Sequence, residues 1–106
     1  MSDDVCEVII TADDEGWLIS FTRSLVTDRL AACGHHQPIR AVYRWQGAVE
    51  QAQEMLLLAK TAADRVPALI ERLQALHPYE LPEIVAVQAA AGLPAYLDWV
   101  ADSTRG

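Results

Sequence analysis

The side chains best suited to chemistry fall in two short stretches. Cys33-Gly34-His35-His36 holds one thiol and two imidazoles within four residues, ligand types that suit copper or zinc. The same residues have a plainer use, with Cys33 as a small buried apolar residue and both histidines at the negative end of a helix. His77-Pro78-Tyr79-Glu80-Leu81-Pro82-Glu83 sets an imidazole, a phenol and two acidic side chains along a loop stiffened by prolines. His77 also extends an apolar helical stripe, which reads as a half-buried histidine. Lys60, the only lysine, ends an apolar run on the face of Leu56 and Leu58. There it can neutralise a carboxylate such as Glu83 or bind an anionic ligand. Asp13-Asp14-Glu15 reads as the acidic start of a helix before it reads as a hard-cation site. No nucleophile is paired with a base, and there is no phosphate-cradling glycine loop or closed metal motif, so an enzyme is not expected.

The elements that must position these residues follow from hydrophobic period. Val5 to Thr11 reads as a strand, and Asp13-Asp14 opens a helix over about Glu15 to Cys33. That helix puts Leu18, Phe21, Leu25 and Ala32 on one face, with Val26 at its edge and Arg29 interrupting the stripe; Gly34 is the natural residue to end it. Ile39 to Thr61 reads as two strands joined at Gly47, because Ile39, Ala41, Tyr43 and Trp45 alternate with Arg40, Val42, Arg44 and Gln46. Asp64 then caps a helix with Pro67 in its first turn and a stripe Val66, Leu69, Ile70, Leu73, Leu76, His77, stopped by Pro78. Glu83 to about Ala90 is a last strand, and Pro94 opens a short terminal helix carrying Tyr96, Trp99 and Val100. The order is β-α-β-β-α-β plus a helix: an α+β, ferredoxin-like fold with a long β2–β3 hairpin, in a single domain over 1–106.

Two features of this fold call for a partner. A strand over Val49 to Thr61 would reach roughly 40 Å, whereas a domain of this length is roughly 35 Å across. In addition Val8-Ile9-Ile10, Met55 to Leu58 and Ile84-Val85-Ala86-Val87 are apolar on both faces, while two helices cover only one. A tight homo-oligomer is therefore expected, with Tyr43 and Trp45 as interface anchors. Composition narrows the partners further. With 52% hydrophobic and 22% charged residues the chain is globular, and a net charge of −7 disfavours nucleic acid and anionic membranes. Two cysteines are too few for a disulfide framework. The charged start Met1-Ser2-Asp3-Asp4 runs straight into a strand without a signal-like apolar stretch, so a cytoplasmic protein is expected.

Leu30-Ala31-Ala32-Cys33, Tyr43-Arg44-Trp45-Gln46-Gly47, Glu54, Lys60-Thr61, His77-Pro78-Tyr79-Glu80-Leu81-Pro82-Glu83 and Tyr96-Leu97-Asp98-Trp99 occur in the order and spacing of one family. From about Val5 to Val100 the chain resembles the CutA divalent-cation tolerance proteins. The resemblance implies a ferredoxin-like subunit in a homotrimer laced by long hairpins, and copper binding. It implies a role for Cys33 in copper binding, and a cleft between subunits lined by Lys60, His77, Tyr79, Glu83, Tyr96 and Trp99; Cys33 and His77, then Glu83, are the expected metal ligands. The chain departs from the family at Gly34-His35-His36-Gln37, where an apolar-Asn run is usual, and at Ala41, where Ser is common. The expected function is a trimeric protein that binds copper or other divalent cations. The alternative is a signalling or adaptor module like the PII proteins, its cleft contacting a small anion or a partner protein through Lys60 and Tyr79.

Overall fold

The computed structural model describes residues 4–106, so Met1, Ser2 and Asp3 of the charged start lie outside the described residues. The elements run β1 (Val5–Ala12), α1 (Glu15–Thr27), β2 (Cys33–Trp45), β3 (Ala48–Ala62), a 3₁₀ turn (Ala63–Arg65), α2 (Val66–Leu76), β4 (Ile84–Gln88) and α3 (Pro94–Ser103). They form one antiparallel sheet in the order β2-β3-β1-β4, the ferredoxin-like arrangement, with α3 added. Among the described residues no helix is long and apolar enough to cross a membrane.

Strand alternation divides the sheet into two unlike faces. Val8, Ile10 and Ala12 of β1 and Leu57 and Ala59 of β3 pack beneath Leu18, Phe21 and Leu25 of α1 and Leu69 and Leu73 of α2. The intervening residues, Ile9, Leu56, Leu58, Val85 and Val87, point the other way, and Val85 and Val87 remain 50% and 49% exposed. Only one end of this second face is covered, where Val100 and Leu97 of α3 close over Val5 and Ala32.

The hairpin is longer than its sequence signal. β2 has 13 residues and β3 has 15, joined by Gln46 (φ 48°) and Gly47 (φ 83°), the two left-handed positions of a tight primed turn. It carries the molecule's long dimension to 45 Å against 25 and 21 Å.

The first helix ends six residues before Cys33, at Thr27, and this corrects the reading that ran it to Cys33 and ended it at Gly34. The stop is a Schellman motif built without glycine. Arg29 takes φ 60°, its N–H donates to Val26 O, and the Leu30 N–H reaches back to Leu25 O at 2.8 Å. Leu30 is buried beside Leu25, which completes the motif's apolar contact. Arg29 and Ala32 are therefore not on a helical stripe, and Cys33 to Gln37 begin a strand. Asp64 likewise caps nothing. It sits inside the 3₁₀ turn, and α2 starts from Arg65 without a side-chain cap, although Pro67 does lie in the first turn. At the other end His77 has left the helix, in extended conformation ahead of Pro78, and Leu76 points outward at 56% exposure.

Gly34 serves packing rather than termination. A Cβ there would lie 2.5 Å from Thr22 Cγ2 and 2.7 Å from Leu57 Cδ1, so α1 rests on β2 only because that side chain is absent. Gly34→Ala is expected to destabilise the fold by about 1–3 kcal/mol, the usual range for overpacking, as a lower midpoint in urea unfolding. An unchanged midpoint would mean that α1 does not bear on β2 at this point.

Candidate functional site

Two groups of candidate side chains form at opposite ends of β1. The first is built on the loop after α2. His77 is 8% exposed, and both ring nitrogens are engaged. The Tyr79 N–H donates to Nδ1 at 3.0 Å, so Nε2 carries the proton and donates to the carbonyl of Thr11 at 2.8 Å. Trp17, itself stacked on Phe21, meets the imidazole edge-on at 5.1 Å, and the Tyr79 ring tilts against it at 4.7 Å. Tyr79 then reaches across to β3, where its hydroxyl donates to Glu54 Oε2 at 2.8 Å. Burial, and then the carboxylate of Glu54, push the Tyr79 phenol well above its ordinary range. The loop is thus pinned to the end of β1 by a histidine and to the hairpin by a tyrosine.

Between this loop and the hairpin runs a groove of about 790 Å³, with Tyr43, Trp45, Tyr79 and Leu81 among its walls. Asp13, Glu54, Glu80 and Glu83 line it against Arg40 and Arg44. Four carboxylates to two guanidiniums disfavour an anionic occupant.

The second group lies on the open face beside α3. Cys33 opposes Lys60 across the β2–β3 ladder, and Lys60 opposes Glu7 across the β3–β1 ladder. Lys60 Nζ sits 2.8 Å from a Glu7 carboxylate oxygen, so its partner is Glu7 and not the expected Glu83. The Tyr96 hydroxyl is 3.5 Å from Cys33 Sγ, and the Tyr96 and Trp99 rings lie 5.6 Å apart. The hydrogen bond with Cys33, reinforced by burial, pushes the Tyr96 phenol up to about 12. The other thiol, Cys6, is buried, and burial followed by the nearby Asp4 carboxylate raises it.

The sequence-derived candidates are therefore split. Cys33, Lys60, Tyr96 and Trp99 are neighbours, while His77, Tyr79 and Glu83 belong to the loop. Cys33, His77 and Glu83 do not meet within a chain, since Cys33 stands opposite Lys60 and the His77 ring bonds to Thr11, four residues along β1 from Glu7. Among the described residues no three His, Cys, Asp or Glu side chains converge as a metal site would require. His77 also has no free nitrogen to give. The paired reading of His35 and His36 fails for the same reason that the helix did: adjacent residues of a strand face opposite ways. Asp14 accepts from the Trp17 N–H at 3.0 Å as the N-cap of α1, the helix-start role expected of it. Glu7, Glu54 and Trp17 were not singled out by their chemistry. Glu7 interrupts an otherwise apolar strand, a misplacement that signals a partner, whereas Glu54 follows the polar Glu50, Gln51 and Gln53 and carries no such signal.

A family model described as CutA1 divalent ion tolerance protein matches residues 6–103. The divalent-cation tolerance protein CutA of Thermus thermophilus is 47% identical over 98 residues, covering 92% of this chain and 95% of that protein. Mouse protein CutA is 38% identical over 102 residues, 95% of this chain but 58% of the longer mouse protein. The crystal structure of CutA from Xylella fastidiosa is 47% identical, covers 98% of this chain and 100% of that one, and superposes with a TM-score of 0.92.

The two tyrosines generate predictions of different kinds. Tyr79→Phe removes the bond to Glu54 and is expected to cost about 1.5–3 kcal/mol in urea unfolding at neutral pH, as for a hydrogen bond to a charged group. For Tyr96 the effect depends on pH. The phenol titrates near 10.0 when unfolded and near about 12 when folded, so its contribution is complete below the first value and lost as pH rises through the second. Tyr96→Phe should therefore flatten the fall in stability across that window; an equally steep fall in the variant would show that the phenol does not hold its proton against Cys33.

Proposed function

This chain belongs to the CutA1 divalent ion tolerance family, and from that premise we propose that it is a homotrimeric protein that binds copper or other divalent metal ions and serves cation tolerance, acting by binding rather than catalysis. The whole of 1–106 is one CutA-like domain, working in the cytoplasm. What supports the trimer is the open sheet face. Val85 and Val87 stand half exposed there, and the projecting hairpin bears exposed Val42, Tyr43, Trp45 and Val49. A lone chain would leave these in water, and burying a fully exposed side chain of this size is worth roughly 1.5–3 kcal/mol. Tyr43 and Trp45 are the anchors of the interface.

The observation that carries the metal reading is the thiol of Cys33, half buried on that face with the Tyr96 hydroxyl against it. A thiolate suits copper and zinc, and it is the donor at this end of the sheet. His77 is assigned a structural role in place of ligation, because a metal would have to displace one of its two hydrogen bonds. Glu83, Tyr79 and the groove belong to a second surface. Lys60, Tyr96 and Trp99 form the rim around Cys33. The alternative of an anion-binding module loses both of its contacts, since Lys60 is paired with Glu7 and Tyr79 with Glu54.

Light scattering is expected to give three times the chain mass of 11.7 kDa at micromolar concentration, and Trp45→Glu to shift the population toward monomer. Copper should raise the melting temperature, since a ligand at 100 times its Kd adds about 2.7 kcal/mol to the state it binds. A solitary wild-type chain would remove the trimer. A melting shift with nucleotides and none with copper would remove the metal reading.

A further inference from the structure

His36 reports how β2 is turned. Its Nε2–H donates to Thr22 Oγ1 at 2.9 Å, because the Thr22 hydroxyl already donates to the carbonyl of Leu18 at 2.8 Å. His36 therefore faces α1, and so does Gly34, whose missing Cβ makes room for Thr22. The β2–β3 register runs unbroken from Cys33 opposite Lys60 to Trp45 opposite Ala48, with no bulge to change the alternation. Cys33 and His35 consequently share the open face, about 6.6 Å apart along the strand at a rise of about 3.3 Å per residue.

We propose that Cys33 and His35 form a two-armed clip for a soft or borderline cation, Zn(II) or Cu(I), with the Tyr96 hydroxyl as the third polar group at the sulfur. The proposal rests on the metal-binding reading above and names the second donor of that site. A thiolate and an imidazole are the donor pair these cations prefer, whereas Mg(II) or Ca(II) would seek oxygens. β2 is an outer strand of the sheet and His35 is exposed within one chain, so the pair stands at the sheet margin. The opposing Lys60 has its charge met by Glu7. His36 is excluded by its face and by Thr22. Cys6 does not compete, because its even position on β1 turns it, buried, toward the helices. A tetrahedral ion on two such donors keeps two positions for water or for groups of another copy.

The test uses the purified chain with Co(II) as an optical stand-in for Zn(II), followed by Zn(II) competition against a chromophoric chelator. Wild type should develop a thiolate-to-cobalt charge-transfer band, and Cys33→Ser should lose it. His35→Ala should weaken Zn(II) binding by roughly 10²-fold, the low end of what linking two donors in one molecule gains. His36→Gln should leave the affinity unchanged, and melting curves check that each variant is folded. Unchanged affinity in His35→Ala, or an equal loss in His36→Gln, overturns the clip. Binding that survives Cys33→Ser overturns it as well but leaves metal binding at another site standing. Absence of binding by the wild type overturns the clip and the metal reading together.

Discussion

The structure depends on a shortage of cover. β1 and β3 are central strands with apolar residues on both faces, and α1 and α2 lie over only one. The face beneath the helices closes over the central strands: Val8, Ile10, Leu18, Leu25, Leu57, Leu69 and Leu73 have no exposed surface. The second face has α3 at one end, and no other helix of the chain lies over the rest. Each chemically interesting feature of the chain lies on the margin of that uncovered area. Cys33, Lys60 and Tyr96 sit where α3 begins to cover it, and Tyr79 and Glu54 sit where the hairpin leaves the body of the molecule. The proposed association and the proposed ligand site are thus two answers to one problem, an area of sheet the chain does not fill alone.

Alternation along β2 decides which side chains can act together. A helix over the same residues would have placed Cys33, His35 and His36 around one helical end, with both imidazoles near the last carbonyls. On a strand they separate at once, His36 into the Thr22 contact beneath α1 and His35 with Cys33 on the other side. The difference turns on where one helix stops. Ending α1 at Thr27 requires Arg29 to adopt a left-handed conformation, which costs a non-glycine residue about 1–2 kcal/mol. The burial of Leu30 and two backbone hydrogen bonds offset it. A local backbone compromise thereby sets the chemistry of a surface several residues away.

That compromise also marks the limit of what could be read from residue order. The apolar runs of β1 and β3 and the α2 stripe as far as Leu73 are legible because burial enforces their pattern, and the hairpin turn because Gly47 supplies a left-handed position. The stop after Thr27 was not, since Schellman motifs announce themselves by glycine and this one uses Arg29, while the nearest glycine, Gly34, is needed for close packing. At the candidate site, residue types were legible and partners were not. Lys60 reads as a partner for Glu83 or an anion and Tyr79 as a cleft contact, but their partners Glu7 and Glu54 stand one strand and twenty-five residues away respectively. Pairings across a sheet depend on register, and register emerges only once the whole sheet is assembled.

The loop after α2 illustrates why a run of reactive residue types is weak grounds for a reactive site. His77, Tyr79 and Glu83 look like an acid–base set, yet the imidazole is clamped between a backbone donor and a backbone acceptor. Trp17 and Tyr79 hold it on two sides. The two hydrogen bonds fix one tautomer, with the proton on Nε2, and the two rings fix the plane of the imidazole. The ring ties the loop leaving α2 to the end of β1 and the start of α1. Its pinning of Tyr79 lets that side chain reach Glu54 and define one wall of the groove beside the hairpin. The motif therefore shapes a surface, whereas the proposed pair on β2 has one thiol half buried and one imidazole exposed.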